Sequence, residues 1–132
     1  MVFNSSPKIV IGKDKGLYGF SDEGATGKSY LYSSLLDLQR SGYTNILALS
    51  YYDEGILDKL RNFDKGVIIL DRLDLYLSDD IQKILDSKRE DCLILFDLKN
   101  WNRLIIEENG VANISLSVDS LEVDLYEVGF WR

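Results

Sequence analysis

The chain has 132 residues, a length that fits one domain and leaves no room for two separate cores. Its net charge of −7 argues against a broad nucleic-acid-binding surface, because neutralising phosphates needs clustered lysine and arginine. The lack of histidine and the single cysteine, Cys92, exclude an internal disulfide and a cysteine–histidine catalytic pair, and they argue against a zinc site. No apolar run approaches membrane-spanning length and the N-terminus lacks a signal-peptide core, so we expect a cytoplasmic protein.

The first third of the chain combines short apolar runs with one long helical pattern. Residues 1–7 form a polar lead-in that we expect to be flexible. Residues 8–11 and 16–20 flank a Gly-Lys-Asp-Lys stretch and are predicted to form a hairpin. Apolar residues then recur at helical spacing over 27–40, which predicts an amphipathic helix.

Three later apolar runs, 46–51, 67–71 and 93–96, are typical of strands buried on both faces. One helix is predicted after an Asp53 cap, between the first two runs. Another is predicted after a Ser78 cap, between the second and the third. Strands that alternate with helices predict an α/β fold with a parallel sheet.

The end of the chain has a different pattern. A short helix is predicted at 101–108. Residues 114–118 and 121–125 alternate apolar with polar side chains around a two-residue turn, which predicts an antiparallel hairpin. We therefore expect one α/β domain over 1–132, whose parallel sheet carries antiparallel edge strands.

Residues 24–29, Gly-Ala-Thr-Gly-Lys-Ser, connect a predicted strand to a predicted helix. Glycines let backbone N–H groups surround a phosphate, and the helix N-terminus adds partial positive charge. Lys28 would neutralise the β- and γ-phosphates, and the Ser29 hydroxyl would ligate Mg²⁺. Asp22 stands where the usual motif begins with glycine, and it is an acidic neighbour for a triphosphate. The predicted nucleotide-binding residues are Asp22, Glu23, Gly24, Ala25, Thr26, Gly27, Lys28, Ser29 and Tyr30.

A second acid follows the most strand-like run of the chain, Val-Ile-Ile-Leu at 67–70. An aspartate at the carboxyl end of such a strand can hold a hydrated Mg²⁺ ion. Because a phosphate-binding pattern lies upstream, Asp71 is predicted to share a magnesium site with Ser29.

Through Gly-Ala-Thr-Gly-Lys-Ser and Val-Ile-Ile-Leu-Asp, residues 16–118 resemble the P-loop nucleoside triphosphatases, within them the RecA-like and AAA-type ATPases. The resemblance implies an α/β P-loop sandwich with a mainly parallel central sheet of order 5-1-4-3-2 and nucleotide at the carboxyl ends of the strands. It implies ATP and Mg²⁺ as ligands, with Lys28 on the phosphates and both Ser29 and Asp71 on the metal. Asp97 occupies the position of that family's γ-phosphate sensor and is a candidate catalytic residue.

Other positions depart from that family. Arg72 follows Asp71 where AAA-type members usually have a catalytic glutamate that orients water. RecA-like members place this glutamate at the end of the second strand, where Glu54 is the candidate here. No arginine finger is recognisable in the sequence. The resemblance therefore implies ATP binding with weak hydrolysis, or hydrolysis that depends on an arginine from a protein partner or a second copy.

Two alternative functions use the same residues. Asp71-Arg72 resembles the Asp-Arg pair of thymidylate-kinase-like enzymes, which suggests a nucleotide or nucleoside kinase. Against it, the sequence has no arginine-rich lid segment. In the second alternative the phosphate loop is vestigial, and the scattered tyrosines form the surface of a non-catalytic interaction module.

Overall fold

The computed structural model describes residues 1–20, 26–99 and 104–127. Within these ranges the chain forms eight strands, three α-helices and one short 3-10 helix. The strands are β1 (Val2–Phe3), β2 (Lys8–Ile11), β3 (Gly16–Phe20), β4 (Ile46–Leu49), β5 (Gly66–Leu70), β6 (Cys92–Phe96), β7 (Gly110–Leu116) and β8 (Ser120–Glu127). The helices are α1 (Thr26–Arg40), α2 (Ile56–Asn62) and α3 (Asp79–Lys88), and the 3-10 helix is Leu73–Leu75.

All eight strands belong to one curled, mixed sheet in the order β1-β2-β8-β7-β3-β6-β5-β4. The strands β7, β3, β6, β5 and β4 run parallel to one another. Strand β8 is antiparallel to β7, β2 is parallel to β8, and β1 is antiparallel to β2. The carboxyl ends of the five parallel strands therefore lie at the same edge of the sheet.

The predicted P-loop sandwich, with a mainly parallel central sheet of order 5-1-4-3-2, is wrong for this chain. The sheet continues past β7 through β8, β2 and β1, and it curls into a half-barrel of mixed strand directions. The reason lies in β2, whose residues Ile9 and Ile11 pair in register with Leu121 and Val123 of β8. All four side chains are buried in one core with residues of α1, so β2 completes that core and does not pair with β3.

Other predicted elements also differ from the structure. The hairpin predicted for 8–11 and 16–20 is wrong, because β8 and β7 separate β2 from β3 in the sheet. Residues 104–108 of the predicted helix at 101–108 are not helical, and 101–103 lie outside the described residues. Residues 2 and 3, within the lead-in expected to be flexible, form β1 and pair with β2.

Two apolar cores cover the two faces of the sheet. One core packs α1 against Val67 and Ile69 of β5, and the other packs α2 and α3 against Ile68 and Leu70. Successive β5 side chains point to opposite faces, and burial of both faces explains why this strand is a continuous apolar run. None of the helices in the described ranges has the length and hydropathy needed to cross a membrane.

The outer edge of the sheet is closed by side chains. Strand β4 is last in the order, and the Ala48 N–H donates to the side-chain oxygen of Gln39 in α1 at 2.8 Å. One position beyond the strand, the Ser50 N–H donates to the Asp53 carboxylate at 2.7 Å. The opposite edge strand, β1, has only two residues.

Candidate functional site

Polar residues directly follow three neighbouring strands at the carboxyl edge of the sheet. Ser50 comes after β4, Asp71 after β5 and Asp97 after β6. The next strand in the order, β3, leads to α1, which carries Lys28 in its first turn. Because these strands are parallel, the residues that follow them converge at one edge, where open α/β sheets usually bind ligands.

One charged contact at this edge joins α1 to the end of β6. The Lys28 ammonium lies 3.2 Å from Asp97 Oδ1, and the two side chains are 19% and 26% exposed. Partial shelter from water makes such a pair stronger than one on an open surface. The pair sets a cation beside the N-terminus of a helix, which is an arrangement that favours anions.

Asp71 lies in a partly buried position next to two polar neighbours. Its carboxylate accepts a hydrogen bond from Ser50 Oγ at 3.3 Å. Burial raises the pKa of the Asp71 carboxyl above its ordinary value, the Ser50 bond opposes that rise, and the negative charge of Asp97 adds to it. A cation beside Asp71 would relieve the cost of the buried negative charge.

The donor set at this edge can be compared with what a metal ion needs. Among residues 1–20, 26–99 and 104–127, no group of three or more acidic, cysteine or histidine side chains could hold a metal ion by itself. Mg²⁺ commonly keeps several waters and takes only one or two protein oxygens together with substrate phosphates. A single carboxylate such as Asp71 suits that type of site and does not suit a metal held by protein ligands alone.

Two tyrosines near Asp71 are held as neutral phenols. The Tyr76 hydroxyl donates to the main-chain oxygen of Asp71 at 2.9 Å, and burial raises the pKa of Tyr76. The Tyr32 hydroxyl lies 3.5 Å from that of Tyr52, and burial likewise raises the pKa of Tyr32. Both groups therefore stay protonated at neutral pH, and Tyr76 fixes the backbone from which the Asp71 side chain projects.

Arg72 is turned toward a neighbouring acid. Its backbone is left-handed, with φ 51°. Its guanidinium donates to both carboxylate oxygens of Asp74, at 3.2 and 3.1 Å. A bidentate pair of this kind is geometrically specific. The structure therefore holds the Arg72 guanidinium against Asp74, on the residue that directly follows Asp71.

The segment after β4 carries Asp53 and Glu54 in different environments. Asp53 closes a turn, because its carboxylate accepts the Ser50 N–H and its own N–H donates to the Ser50 carbonyl at 3.0 Å. Glu54 is exposed and precedes Gly55, the residue before α2. The predicted catalytic role of Glu54 stays a prediction.

Part of the predicted phosphate loop lies outside the described residues. This applies to Asp22, Glu23, Gly24 and Ala25, and to the side chain of Thr26. The later positions are described. Gly27 is buried, Lys28 is half-buried, and Ser29 and Tyr30 are exposed on α1.

Gly27 has a packing reason to be glycine. A Cβ atom at this position would lie 2.7 Å from Cγ2 of Ile114 in β7, which is too close for two carbon atoms. Glycine therefore lets the start of α1 approach the sheet closely. This requirement is independent of phosphate binding, so the glycine alone does not argue for a nucleotide.

Sequence reasoning missed Ser50, which bonds to both Asp53 and Asp71. The helix cap predicted at Asp53 is wrong, because α2 begins after Gly55 without a side-chain cap and the Asp53 carboxylate accepts the Ser50 N–H instead. A signal for Ser50 is present in the sequence, since it follows an apolar run just as Asp71 and Asp97 follow theirs. The Asp53 contact has no such signal, because Asp53 and Glu54 are adjacent acids and only the turn geometry distinguishes them.

The chain matches no protein-family model, no curated protein and no solved structure. The functional argument therefore rests on the geometry of the carboxyl edge.

Proposed function

We propose that this chain binds a nucleoside triphosphate, ATP in preference to GTP, together with Mg²⁺ at the carboxyl edge of the sheet. The observation that carries the proposal is the Lys28–Asp97 pair, with an ammonium in the first turn of α1 and a carboxylate directly after β6. A phosphate group would meet the positive end of the helix and the Lys28 charge together. Preference for adenine follows from the absence of the guanine-specific Asn-Lys-x-Asp motif in the sequence.

The charges at the carboxyl edge favour a triphosphate that carries Mg²⁺ over a triphosphate alone. Asp71 and Asp97 bring two negative charges to the edge and Lys28 brings one positive charge. An anionic ligand alone would meet net negative charge here, whereas a triphosphate that carries Mg²⁺ adds a cation next to Asp71. Asp71 and Ser29 would hold the metal and Lys28 would transfer from Asp97 to the phosphates. The bound metal would supply charge neutralisation along the phosphate chain.

Three predictions arise here, and the first two concern Asp71. The substitution Asp71→Asn should remove the dependence of ATP binding on Mg²⁺, because a neutral amide is a weaker ligand for a hard cation than a carboxylate. The measurement is calorimetric titration with ATP, with and without Mg²⁺. Asp124→Asn is the matched control, since it removes one negative charge from an exposed position on β8. Unchanged Mg²⁺ dependence in Asp71→Asn would remove Asp71 from the metal site.

The same variant should change the pH dependence of stability without ligand. The folded-state pKa of Asp71 is raised, so its contribution favours folding below the ordinary aspartate pKa and is lost as pH rises through the folded value. At neutral pH the ionised carboxylate therefore destabilises the fold, and Asp71→Asn should melt at a slightly higher temperature than wild type. The difference should shrink as pH falls toward 4, which thermal melts across this pH range would measure. A lower melting temperature at neutral pH would mean that the carboxylate is needed for folding.

The third prediction concerns turnover. We expect the purified chain to hydrolyse ATP far more slowly than ~1 per second, the low end for typical enzymes. Arg72 is paired with Asp74 where a water-orienting glutamate is usual, and a missing arginine finger alone is worth roughly 10³–10⁵ in rate. Phosphate release by purified protein, with Lys28→Ala as the background, measures the rate.

The outcomes of the turnover assay separate three situations. A rate near ~1 per second that Lys28→Ala abolishes would contradict the prediction, and its loss in Glu54→Gln would identify the base. Activity that appears only at high protein concentration or with a partner would mean that a neighbouring molecule supplies an arginine. Phosphate transfer to a nucleotide or nucleoside acceptor would favour the kinase alternative, for which Arg72 would have to leave Asp74.

A further inference from the structure

A cavity of about 520 Å³ opens beside α1, away from the Lys28–Asp97 pair. Tyr30 of α1 lines it together with residues from two other parts of the chain. These are Ser5, Ser6, Pro7 and Lys8, next to and within β2, and Val118, Asp119 and Ser120, at the turn between β7 and β8. Its volume is in the range of small-ligand sites.

The cavity and Lys28 lie on opposite flanks of α1. Residues two positions apart on an α-helix point about 200° apart around its axis, as Lys28 and Tyr30 do. Lys28 contacts Asp97 after β6, whereas Tyr30 shares the cavity with the end of β7 and the start of β8. In the sheet order, β6 and β8 lie on opposite sides of β7 and β3, and Gly27 sets the start of α1 against β7.

Exposed apolar groups line this cavity. Val118 is 99% exposed and Tyr30 is 45% exposed. Leu116, two residues before Val118, is also exposed. Exposed aromatic and aliphatic groups that line a cavity with hydroxyl and carboxyl groups suit a planar ligand with polar edges, because such a ligand stacks on the apolar part and hydrogen-bonds at its rim.

We infer that this cavity receives the base and ribose of the nucleotide, with the base against the Tyr30 ring; this inference rests on the proposed function. The backbone of an α-helix is roughly 5 Å across, so a triphosphate chain can pass over the N-terminus of α1 from the Lys28 side to the Tyr30 side. A nucleobase stacks readily on a tyrosine ring. Asp119 offers an acceptor to an exocyclic amino group, which adenine has.

The test compares three probes that share parts of the ligand: ATP, inorganic tripolyphosphate and adenosine. Tyr30→Ala should weaken ATP binding by roughly tenfold, the scale of a lost aromatic stacking contact, and should leave tripolyphosphate binding unchanged. Tyr30→Phe should bind ATP like wild type, since the ring remains. Lys28→Ala should lose tripolyphosphate binding and keep the weak binding of adenosine.

The control variant is Tyr126→Ala, which removes an exposed tyrosine of β8 that does not line this cavity. It should leave binding of all three probes unchanged. Thermal melts of each variant establish that the fold is intact. Photolabelling of the wild type with 8-azido-ATP gives an independent readout, with the label expected on Tyr30, on 5–8 or on 118–120.

The results distinguish this inference from the proposed function. If wild type binds tripolyphosphate and ATP but Tyr30→Ala binds both as well as wild type does, the base lies elsewhere and the proposed function stands. Labelling at the exposed Tyr51 or Tyr52 near Asp71 would overturn the inference in the same way. If wild type binds neither tripolyphosphate nor ATP, the proposed function fails, and the inference fails with it.

Discussion

Lys28→Ala should weaken the binding of Mg²⁺–ATP by about 2–3 kcal/mol, which is about 30- to 150-fold in the dissociation constant. The loss is that of a charged hydrogen bond to phosphate at a partly sheltered site. The variant also leaves the Asp97 carboxylate without the ammonium that lies 3.2 Å from it. The edge then keeps the charges of Asp71 and Asp97 without the Lys28 ammonium, so a triphosphate would meet a more negative surface.

Lys99→Ala is the matched control for that experiment. Lys99 lies two residues after Asp97 and is exposed, so its substitution makes the same change in net charge near the same edge. Calorimetric titration of both variants and wild type measures the effect. Equal affinity in Lys28→Ala and wild type would rule out the proposed function and leave the interaction module as the remaining alternative. Without ligand, Lys28→Ala should lose less than about 1 kcal/mol of stability, because the pair is partly exposed.

Gly66→Ala should cause a large loss of stability, about 3–5 kcal/mol, from backbone strain together with a lost backbone hydrogen bond. Gly66 begins β5 with φ 133°, a backbone conformation that residues other than glycine rarely adopt. A Cβ atom here would overlap the carbonyl oxygen of Asn45. That oxygen accepts the Val67 N–H at 3.0 Å, at the start of the β4–β5 pairing. The added methyl group would therefore push apart the strands from which Ser50 and Asp71 project.

The variant Gly42→Ala separates the cost of backbone strain from the cost of the contact with Asn45. Gly42 has a similar φ of 110°, but a Cβ atom there would meet nothing within 4 Å. It should lose only the cost of the backbone conformation, about 1–2 kcal/mol. Unfolding of both variants in urea measures the difference. Equal losses would mean that the strain of a positive φ, and not the contact with Asn45, controls stability at Gly66.

Local signals in the sequence predicted local structure well. The continuous apolar runs at 67–70 and 93–96 correspond to β5 and β6, because a strand buried on both faces has no polar face to interrupt it. Ser78 was predicted to cap a helix, and its Oγ accepts the Ile81 N–H at 3.2 Å at the start of α3.

Pairing between distant segments could not be predicted in the same way. The alternation of Ile9 and Ile11 shows that one face of β2 is buried, but many strands could cover it. The actual neighbour, β8, lies more than 100 residues away, and its alternation is equally compatible with other registers. The curled half-barrel follows from this pairing. The fold prediction therefore failed because sequence patterns do not specify which strands are neighbours in the sheet.

In the candidate site, too, the positions of residues could be predicted from the sequence, but the contacts between them could not. Lys28, Asp71 and Asp97 could be named because each has a fixed position next to a strand or helix boundary. Their contacts could not be named, since the pairing of Lys28 with Asp97 and of Arg72 with Asp74 depends on rotamers and on the order of the strands. The proposed ligand remains a prediction that binding measurements can test.

The Gln39 and Asp53 side chains at β4 have a consequence for how copies of this protein can meet. An edge strand with free backbone groups is a template onto which another chain can add a strand, and this is a common route to aggregation. Here the Ala48 and Ser50 N–H groups are already bonded within the chain, and β1 offers only two residues at the other edge. Growth of the sheet by strand addition is thus disfavoured at both ends. A second copy that contributed an arginine would therefore have to approach through side chains at the carboxyl edge, leaving the backbone of β4 untouched.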